Sequence, residues 1–328
     1  MPGKATGRRA ALALGALSVT APPRPVAGAA ATPAVHPRLG VYRGAGCDSP
    51  PRIAEFGRWL GRQPGWAVDF LACADMPDII NSARWALRCW RGAPYRFSLA
   101  VPLLTTDRIN TLAQGAAGKF DATFQELGRM LVQEGHGAIT IRLAWEFNGD
   151  WMPWVAAPDP AAFIVYWRRV VGILRATPGT DLRFEWAPSL GRNALDPELA
   201  YPGDDVVDLI GMSVYNQHWQ LPQSAFRRRW AWLRDQPNGL AWQRDFARAR
   251  GKPRSFPEWG TGTRPDGAGG GDDPYFIEAM AEWLNAPDVA YFSYWDWPAP
   301  DYDGFLSNEQ YPRAAAAFRR LFGAAGSR

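Results

Sequence analysis

Between residues 39 and 321, short runs rich in β-branched and aromatic residues alternate with longer stretches whose apolar residues recur at helical spacing. Strands are expected at 39–42, 66–71, 96–101, 139–144, 182–187, 206–215, 254–258 and 289–295. Helices are expected near 53–60, 79–90, 161–176, 226–250, 275–284 and 313–321. A further one is marked by the stripe Phe120, Phe124, Leu127 and Leu131. Pro160 stands at the start of the 161–176 pattern and Pro178-Gly179 just after it, as helix boundaries require. Eight strands alternating with helical segments, over about 290 residues, fit one α/β domain at 39–325, a closed (β/α)8 TIM barrel. The competing architecture is an open doubly wound sheet. It normally opens on a glycine-rich turn after the first strand, and the stretch VYRGAGCDSP at 41–50 is a poor match to one.

The N-terminus reads as an export signal. Arg8 and Arg9 precede an apolar run at 10–21 that is too short to span a bilayer, and Ala27-Gly28-Ala29 resembles a cleavage site. The arginine pair suggests the twin-arginine route. Residues 1–29 are therefore expected to be a secretion signal and 30–38 a short linker, with the mature chain secreted or periplasmic. The formal charge of +4 is misleading in this light. Residues 1–29 hold Lys4, Arg8, Arg9 and Arg24 and no acid, so without them the balance is zero. A near-neutral domain argues against nucleic acid and anionic membrane as partners, and no later segment is long and apolar enough for a membrane span. Three cysteines in an exported chain allow at most one bridge. Cys47 and Cys73 follow adjacent strands and are the expected pair, with Cys89 a buried thiol; Cys73–Cys89 is the alternative. No C-x-x-C spacing exists and the chain has only three His, which argues against a metal site. No cofactor is called for, and the chain is expected to act as a monomer.

The stretch ITIRLAWEFNGDW at 139–151 ends a strand on a glutamate flanked by tryptophans. Glu is depleted in strands and rarely buried without a partner. Simple alternation puts Arg142, Ala144 and Glu146 on one face and Ile141, Leu143 and Trp145 on the other. The aliphatic face suits a helix layer, so Arg142 and Glu146 should point into the barrel. A second carboxylate, Glu258, closes the seventh strand. Active sites of such barrels lie at the C-terminal strand ends, and two carboxyls facing each other there are the tools of glycoside hydrolysis. The surroundings suit a sugar: Trp145, Trp151, Trp154, Trp186, Trp219, Trp259, Trp295 and Trp297 all fall at or beyond strand ends, among 17 Trp in the chain. Asn148, Asn216 and His218 are expected to bind hydroxyls. Asp69 and Glu185 are supporting candidates whose facing depends on strand register. Loop 261–274, TGTRPDGAGGGDDP, lacks a phosphate-loop ending and is expected to shape the cleft.

The motifs RLAWEFNGDWMPW, VVDLIGMSVYN, FPEWG and YFSYWDW resemble the four strand-end motifs of glycoside hydrolase family 26. The resemblance implies a retaining glycosidase of the clan with Glu on strands four and seven, cutting a β-linked polysaccharide such as a mannan, xylan or glucan. It implies Glu146 as acid/base, Glu258 as nucleophile, Tyr215 as hydrogen-bond partner of the nucleophile and Trp295 as a platform under the reacting sugar. One position departs from the family pattern: Trp145 stands where the family usually has His, which bears on mannan specificity more than on the chemistry. The rival class is a sugar-binding barrel without turnover, and two matched carboxylates weigh against it. A bacterial exopolysaccharide is a further substrate candidate.

Overall fold

A computed structural model describes residues 34–324, which fall in one compact unit. The expected signal at 1–29 lies outside the described residues. Among the described residues nine strands run parallel: β1 (Val35–Tyr42), β2 (Gln63–Phe70), β3 (Arg96–Val101), β4 (Thr140–Leu143), β5 (Arg183–Trp186), β6 (Leu209–Ile210), β7 (Ser213–Tyr215), β8 (Arg254–Gly260) and β9 (Val289–Trp295). Their order is β6-β5-β4-β3-β2-β1-β9-β8-β7, and β6 also pairs with β8, so the sheet closes. β6 and β7 are two halves of one stave, which makes this a (β/α)8 barrel. The expected single strand at 206–215 breaks at Gly211 and Met212. There the backbone bonds alternately, Gly211 N–H to the Trp186 carbonyl at 2.8 Å and Met212 N–H to the Ser255 carbonyl at 3.1 Å. A side chain at Gly211 would meet the Ala187 Cβ at 2.8 Å and the Glu185 Oε1 at 2.9 Å, so the crossing needs glycine.

The helices are α1 (Ser49–Leu60), α2 (Met76–Trp90), α3 (Leu112–Ala116), α4 (Asp121–Gln133), α5 (Pro160–Ala176), α6 (Phe226–Asp235), α7 (Leu240–Ala249), α8 (Pro274–Leu284) and α9 (Pro312–Phe322). α5 and α8 start on Asp-Pro pairs: Asp159 and Asp273 accept the amides of Ala162 and Phe276, and Pro fills the first helical position. Each such cap contributes about 1 kcal/mol. Three features differ from the sequence reading. The helix expected over 226–250 splits where Pro237, Asn238 (φ 56°) and Gly239 interrupt it. After β5 the chain makes only a 3₁₀ turn, Pro197–Ala200, before β6. β1 begins at Val35, so it takes in residues assigned to the linker.

Alternation along the strands separates two cores. Outward residues such as Leu39, Val41, Leu99, Ile141, Leu143, Phe184 and Phe256 pack against the helices. Trp66, Val68, Leu209 and Tyr291 form a separate cluster, in which the Trp66 and Tyr291 rings stack 4.1 Å apart. Polar residues continue from it: Tyr291 donates to Glu185 at 2.8 Å and accepts from Ser98 at 2.9 Å, Ser255 donates to Glu185, and Arg142 lies beyond them.

The disulfide joins Cys47 to Cys89, with Cα atoms 4.5 Å apart, and Cys73 is free. The expected Cys47–Cys73 bridge is therefore corrected, as is the alternative. Strand-end adjacency suggested the wrong partner because the chain leaves β1 in a 3₁₀ turn, Gly46–Asp48, that lies against α2. Gly46 (φ 59°) makes the approach; a Cβ there would strike the Trp85 ring. Asp69 fixes the same corner. Its carboxylate accepts from Gly46 N–H at 2.8 Å and from the Trp90 indole at 2.7 Å, so it serves this junction rather than the barrel interior. Closing 42 residues contributes about 4 kcal/mol in the chain-entropy model. Thiol titration of the unfolded, unreduced chain should therefore count one free cysteine, and Cys47→Ser/Cys89→Ser should unfold at a temperature lower by several degrees. Three titratable thiols in the oxidised protein would overturn the pairing.

Candidate active site

β4 is regular only to Leu143. Ala144 and Glu146 then adopt left-handed backbone conformations, φ 51° and 54°. For residues with a Cβ this costs of order 1–3 kcal/mol each, and such strain gathers at functional sites. The amides stay anchored: Ala144 N–H bonds to the Val101 carbonyl at 2.9 Å and Glu146 N–H to the Ala187 carbonyl at 2.8 Å. The twist ends simple alternation, so Trp145, expected on the helix side, lines the cleft alongside Glu146. Behind it, Trp154 is buried and donates its N–H to the Trp145 carbonyl at 2.7 Å.

Glu146 and Glu258 open into one cleft of about 560 Å³ at the C-terminal ends of the strands. Tyr42, Phe70, Trp151, Tyr215, Trp295 and Arg264 share its lining. Trp295 stacks on Tyr42, with ring centres 4.4 Å apart and planes 14° from parallel. Trp151 is 47% exposed and Trp219 62%, so both indoles offer open faces, from loops after different staves.

The two carboxyls have different surroundings. Glu258 on β8 accepts from the Tyr215 hydroxyl at 2.6 Å through one oxygen and from the Arg142 guanidinium through the other. Glu146 is buried and accepts the Trp151 indole N–H at 2.8 Å. Its pKa is pushed up to about 7, first by burial and then by the Glu258 charge. Arg142 and the hydrogen bond from Trp151 oppose that rise. The Trp151 hydrogen bond thus holds the Glu146 carboxyl in place and draws its pKa down against the effect of burial. Arg142 is fully buried and reaches Ser213 Oγ at 2.6 Å with its second amino group. Glu185, the neighbour of Arg142 across β4 and β5, lies below the cleft; burial pushes its pKa up and Arg142 opposes this.

Several residues expected to meet sugar are committed elsewhere. Asn148 gives its amide to the Ser189 and Gly191 carbonyls and accepts Ser189 N–H, clamping the loops after β4 and β5. Asn216 donates to Thr261 and Asp273 and accepts from Arg229. His218 accepts the amides of Gln220 and Leu221 through Nδ1 and packs on Trp232. Trp259 is wholly buried against Phe276, Tyr294 and Phe318. Their residue types suited a sugar, but each points into a loop junction or the helix layer. Trp186 is likewise core, stacked on Phe246. The sequence reading passed over Ser213, Tyr42, Phe70 and Gln217. Tyr42 and Phe70 close β1 and β2, and that position is the signal that could have found them. Loop 261–274 does shape the cleft, through Arg264, which bonds Gln217 at 3.0 Å and lies under Trp219.

The fold and the sequence comparison together define the class: a (β/α)8-barrel glycoside hydrolase. Within it the chain is similar to glycosyl hydrolase family 26, whose sequence model matches residues 117–231. The matched segment includes Glu146, Ser213 and Tyr215, and Glu258 lies beyond it. No curated protein sequence gives a significant match. Similar solved structures include GH26C from Muricauda sp. MAR_2010_75, at 17% identity and TM-score 0.56, covering 85% of both chains. The catalytic domain of the Bacillus sp. JAMB-750 family 26 endo-β-1,4-mannanase is 16% identical at TM-score 0.58, covering 86% of both chains. A Cellulomonas fimi endo-β-1,4-mannanase is 17% identical at TM-score 0.60, covering 89% of this chain and 75% of that one. At such identities the likeness establishes the fold.

The raised pKa of Glu146 has a consequence for stability. A carboxyl with a folded pKa of about 7 and an ordinary value of 4.5 keeps its proton in the fold after the unfolded chain has lost it. The unfolded state then binds fewer protons, so stability falls as pH rises from about 4.5 to 7. The span corresponds to about 3 kcal/mol. Glu146→Gln should therefore gain about that much on the wild type between pH 4.5 and 8 in denaturant titrations. Parallel pH curves for the two proteins would contradict the burial assignment.

Proposed function

We propose that the chain is an exported retaining endo-glycosidase, with β-mannan its leading substrate. One observation carries this reading: two carboxyls open into one aromatic cleft, one poised to hold a proton near neutrality, the other engaged on both oxygens by Arg142 and Tyr215. Glu146 protonates the glycosidic oxygen while Glu258 attacks the anomeric carbon. Glu146 then serves as base as water hydrolyses the glycosyl-enzyme. A retaining pair stands about 5–5.5 Å apart. Trp295 on Tyr42 supplies the platform under the reacting sugar. Trp151 and Trp219 extend the cleft beyond it, which suits a chain cut internally. Hydroxyl recognition falls to the Gln217 amide and to Asp301. Both line the cleft, and neither the Gln217 amide N–H groups nor the Asp301 carboxylate has a hydrogen-bond partner among the described residues. The mannan assignment draws on the similar solved mannanases. Trp145, which lines the cleft where the family usually has His, favours a second reading in which the glycan is a β-xylan, a β-glucan or a bacterial exopolysaccharide.

Export is supported by the signal-like residues 1–29 and by the Cys47–Cys89 bridge, which suits an oxidising compartment. Among the described residues no helix is long and apolar enough to cross a membrane. The partner is an oligo- or polysaccharide, bound by a monomer.

Reducing-end release from β-mannan, β-xylan, mixed-linkage β-glucan and exopolysaccharides identifies the glycan. On the best substrate, kcat/KM should fall above about pH 7 as Glu146 loses its proton. Glu258→Ala with azide should give the inverted glycosyl azide. Glu146→Ala should accumulate glycosyl-enzyme from substrates with good leaving groups, and azide should release it with retention. Swapped anomers would exchange the two roles, and undiminished hydrolysis in either variant would remove that residue from the mechanism.

A further inference from the structure

Aromatic rings at or just past strand ends form one wall of the cleft: Tyr42 ends β1, Phe70 ends β2, Trp145 follows β4 and Trp295 ends β9. Phe70 joins them. Its ring meets Tyr42 edge-on at 5.2 Å with planes 88° apart, and Trp145 at 5.3 Å with planes 69° apart. Tyr42 stacks on Trp295, and Trp145 packs on Trp154 with ring centres 4.4 Å apart. The Arg142 guanidinium lies 5.9 Å from the centre of the Phe70 ring. Each ring is held by its neighbours, so the wall is set before a ligand arrives.

Two polar groups interrupt this apolar surface. Among the described residues neither the Trp145 indole N–H nor the Tyr42 hydroxyl has a hydrogen-bond partner, and neither is sealed from solvent. The Trp295 N–H also lacks a partner but is closed off, so it offers nothing to a ligand. Burial, and then the charges of Asp69 and Glu258, push the Tyr42 pKa up, so the phenol keeps its proton. An indole only donates. The wall therefore presents carbon and two donors, with the phenol oxygen as its one acceptor.

A sugar hydroxyl fits such a wall poorly. It brings a proton that only the phenol oxygen can take, and a buried polar group left unpaired costs about 1–3 kcal/mol. An acetyl group fits on every count. Its carbonyl oxygen has two lone pairs for the two donors and no proton to place, and its methyl buries against the rings. Gln217 and Asp301, elsewhere in the lining, have the mixed donor and acceptor character that hydroxyls need. The His usual in the family at position 145 can donate or accept; the indole gives up acceptance and adds apolar area.

We propose that this aromatic wall recognises an acetyl group carried by the glycan, on or next to the sugar seated at Glu146 and Glu258. The inference rests on the glycosidase reading and names the substrate class: an acetylated polysaccharide, esterified at a hydroxyl or amidated at an amino sugar. The placement follows from the neighbours. Trp145 directly precedes Glu146, and Tyr42 stands within the field of Glu258.

The test compares acetylated glycans with the same glycans after deacetylation. One arm uses O-acetylated β-mannan and β-xylan before and after mild alkali. The other uses β-linked N-acetylglucosamine oligomers before and after N-deacetylation. In one arm kcat/KM should be roughly tenfold higher on the acetylated form, and that arm tells ester from amide. Trp145→Phe and Tyr42→Phe each keep a ring and lose a donor. Each should lower the acetylated-to-deacetylated ratio roughly two- to tenfold. A merely structural role lowers both rates together and leaves the ratio in place. A ratio moved by one variant alone assigns the carbonyl to that donor. Acetylated forms no better than deacetylated ones in either arm, or a ratio unchanged in both variants, would overturn the acetyl site. Should a variant fail to fold, the wild-type ratio and wild-type binding decide. Binding also separates the site from the chemistry beneath it. Acetylated tetrasaccharides of the preferred series should change the tryptophan fluorescence of the wild type at lower concentration than their deacetylated forms. That preference without any turnover would keep the acetyl site and remove the glycosidase mechanism. Equal binding with turnover would do the reverse.

Discussion

A fully buried arginine on the axis of a barrel is expensive unless every contact compensates it. Arg142 is that group here, and the arrangement of acids follows from it. It bonds Glu258 and Ser213, and Glu185 and Glu146 lie within its field. One cation faces three carboxyls, so the three cannot all be ionised at low cost. Arg142 acts on Glu146 through its charge alone, and burial and the Glu258 charge raise the Glu146 pKa to about 7. Glu258 holds the direct contact. The two cleft carboxyls are thus told apart by their contact with a single charge.

Much of this was legible because two periods dominate the chain. Alternation in β4 puts Ile141 and Leu143 in the helix-facing core and Arg142 inside. Carboxylates at strand ends identify Glu146 and Glu258 as cleft residues without reference to loops. The loops were opaque. Asn148, Asn216 and His218 have the chemistry of sugar ligands, yet their donors and acceptors are consumed by neighbouring backbone and side chains. A side chain that caps a loop and one that meets a ligand look alike in sequence. The same blindness misassigned the disulfide, since which way the turn after β1 leans depends on Gly46 fitting against Trp85.

Period-based reading also fails where the backbone leaves its period. Ala144 and Glu146 are left-handed, and two such residues in succession but one shift the facing of all that follows. This explains why Trp145 reaches the cleft although alternation sends it outward. It also explains the stave broken at Gly211, where the chain must pass Ala187 and the Glu185 carboxyl too closely for any side chain.

The strain at Ala144 and Glu146 must be held by surroundings that do not yield. Asn148 and Trp154 take that role. Asn148 locks the β4 loop to the β5 loop through three hydrogen bonds. Trp154 supports the Trp145 carbonyl from behind, and its ring packs 4.4 Å from the Trp145 ring. Glu146 N–H is fixed to the Ala187 carbonyl. The acid/base role proposed for Glu146 needs its carboxyl fixed to a fraction of an ångström. Asn148 and Trp154, which resemble sugar ligands, therefore still serve the site: they hold the strained backbone after β4 in the conformation that places Glu146 in the cleft.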